Sequence, residues 1–313
     1  MLDFVGKRYW YFLLSALIIV PGLISLAIPP GLRPGIDFSS GSTMSIRFEA
    51  SVEQSTLRDA MAAIGHGEAI IQRTGDNTFL IRTRTLEEEQ KDAEGKVIKP
   101  GEKQQLEEIL RERFGALEVL SFDSVSPLVA GETVRNAALA VLGATVGILL
   151  YIWWAFRQVP KPLRYGVCAV IALLHDVAVV VGVYSILGKL LHYEVDAMFI
   201  TACLTVVGFS VHDTIVVFDR IRENLKKGIG SFEFTVNQSI LQTVGRSLMT
   251  SLTALFALLA VYLFGGVTIR HFVLVLIIGI TSGTYSSIFN ASQLLVAWEA
   301  GDFARLRHRL AFR

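Results

Sequence analysis

The stretch VGFSVHDTIVVFDRIRENLKK, residues 207–227, determines how the whole chain is interpreted. Its first half is apolar enough to lie in a membrane, yet it contains His212 and Asp213 and ends in a run of charged residues. A carboxylate in the hydrocarbon core costs at least about 2.5 kcal/mol even on lenient insertion scales. A membrane helix therefore has one only where it faces protein or water, and Asp213 is predicted to be functional.

The composition is that of an integral membrane protein. Of the 313 residues, 52% are hydrophobic and 18% are charged. The formal net charge of +1 gives no reason to expect nucleic acid as a partner. Cys168 and Cys203 lie in apolar segments and are predicted to be packing residues. Because no Cys/His metal spacing appears, no metal and no cofactor is expected.

Six segments are long and apolar enough to cross a bilayer as helices. They are residues 9–29, 134–156, 163–187, 195–218, 247–264 and 270–298. The first ends in Pro29-Pro30-Gly31 without a small-x-small cleavage site, so a retained anchor is predicted. The predicted domains are 1–34 (N-terminus and first span), 35–133 (hydrophilic domain), 134–298 (five-helix bundle) and 299–313 (basic tail).

The distribution of Lys and Arg predicts the orientation. With the N-terminus inside, the short outer loops contain only Lys189 and Arg270. The inner segments then contain most of the cations near the spans: Lys7, Arg8, Arg157, Lys161, Arg164, Arg220, Arg222, Lys226, Lys227, Arg246, Arg305, Arg307, Arg309 and Arg313. Both termini are therefore expected in the cytoplasm, and the hydrophilic domain outside.

The hydrophilic domain is predicted to have the order βαββαβ, the ferredoxin-like pattern. We expect strands at Ser42–Glu49, Ala69–Arg73, Asn77–Arg84 and Ala116–Phe122, and helices at Val52–Ile64 and Lys103–Phe114. Gly75-Asp76 is a hairpin signal, and the charged insert at residues 87–99 is interpreted as a solvated loop. No nucleophile–base pair, phosphate loop or metal cluster appears, which favours a binding or structural role over an enzymatic one.

Polar residues recur inside the predicted spans. Thr201, Thr205, Gly208 and His212 follow one stripe of the fourth span, which is typical of a helix-packing seam. The third span contains His175-Asp176. Adjacent helical residues point in different directions, so Asp176 is equally compatible with hydrogen bonding to a neighbouring helix and with a proton relay.

Arg246 precedes the fifth predicted span and has two interpretations. An arginine at a helix end is usually an interface anchor. Alternatively it pairs with Asp213, which lies at a similar depth, and holds that carboxylate ionised. The sixth span has a polar middle, with Gly279 and Gly283 spaced for a close helix contact, as are Gly143 and Gly147 in the second. Packing is the favoured interpretation of these glycines.

Four motifs resemble the SecF family: VHDTIVVFDRIREN (Val211–Asn224), GIDFSSGS (Gly35–Ser42), ALLHD (Ala172–Asp176) and YLFGG (Tyr262–Gly266). The resemblance extends over nearly the whole chain. It implies an α-helical polytopic membrane protein that forms half of a resistance–nodulation–division-type transporter arrangement, with one small extracytoplasmic ferredoxin-like domain. The implied location is the bacterial inner membrane.

The resemblance also implies partners and a role. SecD would supply the other half, and SecYEG, possibly YajC, unfolded preproteins and membrane lipid would be further partners. The pair would use the proton gradient to promote export. The family's proton pathway falls on Asp213 and Arg246, with Asp176 included as a further member.

The entry motif implied by the family contains Gly35, Asp37 and Gly41 and would act as a hinge, although a plain linker explains the same residues. Ser40 stands where the family has the first of two glycines, and serine accepts positive φ less readily. Two further functions compete with export: a non-conducting scaffold for SecD and the translocon, and a small-molecule exporter. A lone six-helix half disfavours the exporter.

Overall fold

The chain folds into two compact units in the computed structural model, which describes residues 3–87, 89–91, 97–99, 101–228 and 230–302. Residues 34–136 form one unit. The described residues before 34 and after 136 form the other, a helical bundle. The predicted basic tail lies outside the described residues from position 303 onward.

The helices and strands follow in chain order. The helices are α1 (Arg8–Ala27), α2 (Ile36–Ser39), α3 (Gln54–Ala63), α4 (Glu102–Phe114), α5 (Pro127–Ala155), α6 (Pro162–Leu191), α7 (Ala197–Lys226), α8 (Phe232–Phe264), α9 (Val267–Ser286) and α10 (Ser292–Glu299). A π-helical turn, Ser287–Ala291, joins α9 to α10. The strands are β1 (Gly41–Phe48), β2 (Ile70–Gly75), β3 (Thr78–Thr83), β4 (Gln90–Lys91), β5 (Val97–Lys99) and β6 (Leu117–Val125).

The predicted ferredoxin-like unit is confirmed in its sheet topology. Four strands form an antiparallel sheet in the order β2-β3-β1-β6, with α3 and α4 as the intervening helices. Alternate strand residues and one face of each helix form its core, in which Ile46, Leu57, Phe79 and Leu110 are completely buried. The apolar residues that recur every 3.6 residues in the helices and every two residues in the strands therefore pack together in a single layer.

The predicted hairpin is confirmed by the antiparallel pairing of β2 with β3, and two local details of this unit differ from the prediction. The hairpin turn lies at Asp76-Asn77, one residue after the predicted position, because Asn77 rather than Gly75 adopts the positive φ of +53°. The charged insert is not simply a loop, since its described parts form an antiparallel ladder between β4 and β5. Residues 88, 92–96 and 100 of this region lie outside the described residues.

The six predicted membrane helices are confirmed: α1, α5, α6, α7, α8 and the sixth span, which runs through α9, the π turn and α10. In the most apolar part of α6, α7 and the sixth span, half or more of the residues are buried, compared with fewer than a fifth in α1, α5 and α8. Helices α6 and α7 and the sixth span therefore form the centre of the bundle. Cys168 and Cys203 are free and buried there, as predicted.

Helices α7 and α8 both extend beyond their apolar segments. The fourth span was predicted to end at residue 218, but α7 continues to Lys226, and α8 begins at Phe232 rather than near residue 247. Asn224 of α7 joins these extensions by donating to Ser239 Oγ at 2.9 Å. A hydropathy window detects only the apolar part of such a helix, whereas this extension is amphipathic. As a result, Arg246 lies inside α8 and does not open it.

Helix α1 approaches α6 closely at a pair of glycines. A Cβ atom built on Gly182 would lie 2.8 Å from the Cα atom of Gly22, so neither position has room for a side chain. One turn further on, the hydroxyls of Ser25 and Ser185 hydrogen-bond at 2.8 Å. This is the small-residue packing expected of helices in lipid.

We expect Gly182→Ala to lower the stability of the bundle by about 1–3 kcal/mol, because the added methyl group overpacks the crossing. Gly143→Ala is the matched control, since nothing lies within 4 Å of a Cβ built at Gly143. Alanine is favoured over glycine inside a helix by about 1 kcal/mol, so this variant is expected to be neutral or more stable. Thermal denaturation of the purified chain measures both changes. Equal effects would contradict the close crossing.

Candidate functional site

Buried polar side chains form one layer across the centre of the bundle. We call it the polar layer and define it by Asp176 of α6, Ser210, Asp213 and Thr214 of α7, Ser251 of α8, Ser282, Thr284 and Ser286 of α9, and Ser287 of the π turn. Both predicted carboxylates belong to it, and their exposed fractions are only 1% for Asp176 and 2% for Asp213. The layer therefore contains the two buried charges that the sequence singled out.

Asp176 accepts hydrogen bonds from serine side chains on two other helices, α7 and α9. Ser210 Oγ and Ser286 Oγ each donate to Asp176 Oδ2 at 2.6 Å. Ser282 Oγ donates to Asp176 Oδ1 at 2.7 Å, and His175 Nδ1 lies 3.0 Å from the same oxygen. Hydrogen bonds to a carboxylate are stronger than those between neutral groups. Asp176 therefore joins α6 to α7 and α9, the hydrogen-bonding alternative that the sequence left open.

The close approach of α9 to α7 makes this arrangement possible. A Cβ built on Gly279 would lie 2.2 Å from a methyl carbon of Val206, and one built on Gly283 would lie 3.0 Å from Ser210 Cβ. With glycine at both positions, the flanking Ser282 and Ser286 reach Asp176. The predicted packing role of these two glycines is confirmed, whereas Gly143 has open space around it in this chain.

Asp213 is equally buried but has far fewer partners. Its carboxylate Oδ2 accepts one long hydrogen bond, of 3.4 Å, from Ser251 Oγ. Ser251 in turn accepts from Thr284 Oγ1 at 2.6 Å. One turn earlier on α8, the buried hydroxyl of Ser247 has no hydrogen-bond partner among the described residues. The carboxylate of Asp213 is thus less completely hydrogen-bonded than that of Asp176.

Arg246 does not pair with Asp213 in this structure. Within the described part of the chain, no ion pair joins the two side chains, and Arg246 is exposed on the surface of α8. Helix α8 presents Ser247 and Ser251 to its neighbours, and Arg246 lies about 100° around the helix from Ser247. The rotational setting of α8 therefore directs the arginine away from the carboxylate.

The stripe on α7 is also exposed within this chain. Thr201, Thr205, Gly208 and His212 all lie on the surface of the bundle. The hydroxyls of Thr201 and Thr205 donate to carbonyls one turn earlier in their own helix. The predicted packing seam is therefore not used between the described helices of this chain.

Two further buried hydroxyls join α7 to the π turn beside Ser210. Thr214 Oγ1 and Ser287 Oγ lie 2.9 Å apart, and Ser287 Oγ donates to the carbonyl oxygen of Ser210 at 3.0 Å. Ser287 begins the π turn, and π turns are frequent at functional sites. Sequence reasoning missed Ser210, Thr214 and Ser287 as members of the site. For Ser287 the available signal was the polar middle of the sixth span, for which packing was the favoured interpretation.

The entry motif begins the other unit and contains a short helix that was not predicted. Gly35 precedes α2, and Asp37 lies in its first turn. Ser40 follows with φ +60° and ψ +170°, a region essentially restricted to glycine. Gly41 has φ +125°, and a Cβ there would lie 2.7 Å from the carbonyl oxygen of Thr83. The motif thus turns sharply into β1, with a serine at one of the two strained positions.

Comparison with known proteins gives matches over nearly the full length. Residues 105–301 match the family described as protein export membrane protein SecD/SecF, C-terminal, and residues 24–52 match the SecD/SecF GG motif. The chain is 54% identical to the protein translocase subunit SecF of Thermobaculum terrenum, covering 99% of this chain and 98% of that one. It is 44% identical to that of Anaerolinea thermophila, covering 97% and 96%.

Solved structures of SecDF are similar as well. The crystal structure of SecDF from Thermus thermophilus, a translocon-associated membrane protein, superposes with a TM-score of 0.79 at 36% identity and covers 96% of this chain. The present chain spans 39% of that SecDF chain. A second crystal structure of SecDF, in a super-membrane-facing form, has a TM-score of 0.62 at 33% identity.

We expect Ser286→Ala to lower the stability of the bundle by about 1.5–3 kcal/mol, because it removes a hydrogen bond to a charged acceptor. Ser292→Ala is the matched control. Both serines are completely buried, but Ser292 donates only to the backbone oxygen of Ile288. A loss of about 0.5–1.5 kcal/mol is expected for this neutral bond. Thermal or denaturant unfolding of the full chain measures both; equal losses would contradict a special role for Asp176.

We expect Ser40→Gly to stabilise the 34–136 unit by about 1 kcal/mol. A non-glycine residue at this φ and ψ costs roughly 1–3 kcal/mol, and part of the gain is offset by the flexibility that glycine adds to the unfolded chain. Ser39→Gly is the control, since Ser39 is helical and a glycine there is expected to destabilise. Hydrogen exchange of the β1 amides in the full chain reports both. Slower exchange in both variants, or in neither, would contradict the strain at Ser40.

Proposed function

Since this chain belongs to the SecF family of protein translocase subunits, we propose that it pairs with SecD and uses the proton-motive force to promote preprotein export. In this proposal the protein lies in the bacterial inner membrane with both termini in the cytoplasm and the 34–136 unit outside. Its further partners are SecYEG, possibly YajC, unfolded preproteins and membrane lipid. Asp213, Arg246 and Asp176 belong to the proton pathway.

The observation that supports this proposal most directly is the contrast between the two buried carboxylates. Asp176 has four side-chain partners within 3.0 Å, whereas Asp213 accepts a hydrogen bond of 3.4 Å from Ser251. An ionised carboxylate that is buried with so few partners is costly, and taking up a proton removes that cost. Asp213 is therefore the group proposed to exchange the proton. In this proposal Asp176 takes part as the second buried carboxylate of the polar layer, with its serine donors on α7 and α9.

Arg246 enters the proposed cycle through a change in the setting of α8. It is exposed here, one residue from the face that presents Ser247 to the bundle. A rotation of α8 by about 100°, one residue of an α-helix, brings Arg246 to that face. We propose that Arg246 faces Asp213 when that carboxylate is ionised and turns away when it is protonated. The present arrangement then corresponds to the protonated state.

Pairing with SecD is supported by the surface of the bundle. A polar and small-residue stripe, Thr201, Thr205, Gly208 and His212, is exposed in α7 even though α7 is a central helix. Residues of this type form helix–helix interfaces in lipid. The chain also spans only 39% of the SecDF structure to which it is similar. A second membrane subunit is therefore the proposed neighbour of this stripe.

The available energy limits what such a machine does to its substrate. One charge crossing about 100 mV releases roughly 2.3 kcal/mol. A folded domain is stable by about 5–15 kcal/mol, so one proton does not unfold it. The proposed cycle therefore biases the movement of an already unfolded chain.

A non-conducting scaffold for SecD and the translocon is the second candidate function. The four partners of Asp176 favour it, because they hold α6, α7 and α9 in one arrangement. In this role the buried carboxylates would matter for assembly alone. Proton flux distinguishes the two functions.

We expect Asp213→Asn to abolish the stimulation of export by a proton gradient, because the asparagine side chain neither binds nor releases a proton. The measurement is proton flux, together with completion of export at a fixed gradient, in vesicles that contain this chain, SecD and SecYEG. Glu223→Gln is the matched control on the same helix, where Glu223 is exposed and pairs with Arg220. Unchanged flux in correctly assembled Asp213→Asn vesicles would remove Asp213 from the mechanism. Absence of flux in the unmodified complex would favour the scaffold.

A further inference from the structure

A cavity of about 300 Å³ lies at the end of the bundle where α5, α7 and α10 end and α6 and α8 begin. We call it the basic pocket. Its lining combines the cationic side chains of Arg164, Arg222 and Lys226 with apolar side chains such as Leu225, Phe232 and Leu295. It is separate from the polar layer and shares no residue with it.

The charge of the lining is positive. Glu299 is the carboxylate of the lining, and it already pairs with Arg164 and, at 2.9 Å, with Lys161. Lys226 is exposed, and among the described residues its Nζ atom makes a single hydrogen bond, of 3.5 Å, to the amide oxygen of Gln158. The basic pocket thus presents more positive charge than its own carboxylate neutralises.

Arg222 supplies an unused donor. Its NH1 group donates to the carbonyl oxygen of Ala155 at 3.2 Å, and its NH2 group pairs with Asp219 at 2.5 Å. Its Nε atom is buried and has no hydrogen-bond partner among the described residues. The rest of the Arg222 guanidinium is only part-buried and belongs to a residue that lines the pocket, where its charge attracts an anion.

The position of the pocket along the helices indicates the depth of lipid headgroups. Trp153 and Trp154 are exposed at the end of α5, and Trp10 is exposed at the start of α1. Exposed tryptophans at helix ends mark the interface between hydrocarbon and water. Arg157 and Arg164 lie over the rings of Trp154 and Trp298 at this level.

We propose that the basic pocket binds the phosphate headgroup of an anionic phospholipid. Arg222 and Lys226 would contact the phosphate oxygens, and Val159, Leu225, Phe232 and Leu295 would contact the apolar start of the lipid. Basic pockets between membrane helices are known to bind anionic headgroups. The mixed polar and apolar lining favours a lipid over a free anion, which has no apolar part to bury.

The test is native mass spectrometry of the purified full-length chain titrated with phosphatidylglycerol or phosphatidylcholine. We expect phosphatidylglycerol to bind more tightly than phosphatidylcholine. Lys226→Gln is expected to weaken phosphatidylglycerol binding about fivefold, since one cation near an anionic headgroup changes the affinity by that factor. Lys227→Gln is the matched control. It removes the same charge from the neighbouring position, and Lys227 does not line the pocket but contacts Asn224.

Further arms distinguish a lipid site from general surface attraction and from binding of a soluble anion. Equal weakening by Lys226→Gln and Lys227→Gln would overturn the proposal, because the attraction would then be a general property of the surface. Equal affinity for phosphatidylcholine would overturn it as well. Displacement of phosphatidylglycerol by equimolar glycerol phosphate would reassign the pocket to a soluble phosphate, and displacement by an equimolar glutamate-rich peptide would reassign it to a protein partner. Arg222→Gln, expected to weaken phosphatidylglycerol binding at least as much as Lys226→Gln, provides a second variant.

Discussion

The cost of holding a carboxylate in the hydrocarbon interior is the constraint on which this bundle depends. Asp176 meets that cost with hydroxyl donors from α7 and α9, so these helices must lie close to α6. Close approach requires glycine at positions 279 and 283, where a side chain would collide with α7. The two glycines of the sixth span are therefore required because the third span contains the carboxylate of Asp176.

The polar layer combines a well-partnered part and a poorly partnered part at one depth. Around Asp176 the hydrogen bonds are short and come from two other helices, α7 and α9, which fixes the helix positions. Around Asp213 they are few, and a neighbouring hydroxyl, that of Ser247, is unsatisfied among the described residues. In the proposed cycle, this rigid centre lies next to an incompletely hydrogen-bonded carboxylate, so that a local protonation change is transmitted to packed helices, which shift between discrete arrangements.

The sequence was sufficient for the six spans and the ferredoxin-like order, because long apolar runs and strand alternation report directly on burial. It was not sufficient for the ends of α7 and α8, whose amphipathic extensions a hydropathy scale does not detect. Asp213 was identified by the cost of its burial, and Asp176 by its place within a span and by the family resemblance. Their hydroxyl partners were not, since the pairing of Ser210 with Asp176 depends on how two helices are rotated. The same rotation separates Arg246 from Asp213, and residue spacing within one helix does not reveal it.

The π turn at Ser287–Ala291 has a consequence for the two ends of the sixth span. A π turn contains about one residue more than an α turn, so the side chains that follow it are offset by about 100° relative to a regular helix. Ser286 before the turn points to Asp176, whereas Glu299 after it meets Lys161 and Arg164. Loss of a single residue from this turn would leave α9 in register and swing α10 around its axis. The carboxylate of Glu299 would then move away from Lys161 and Arg164. The extra residue of the π turn thus sets the direction in which α10 faces relative to α9.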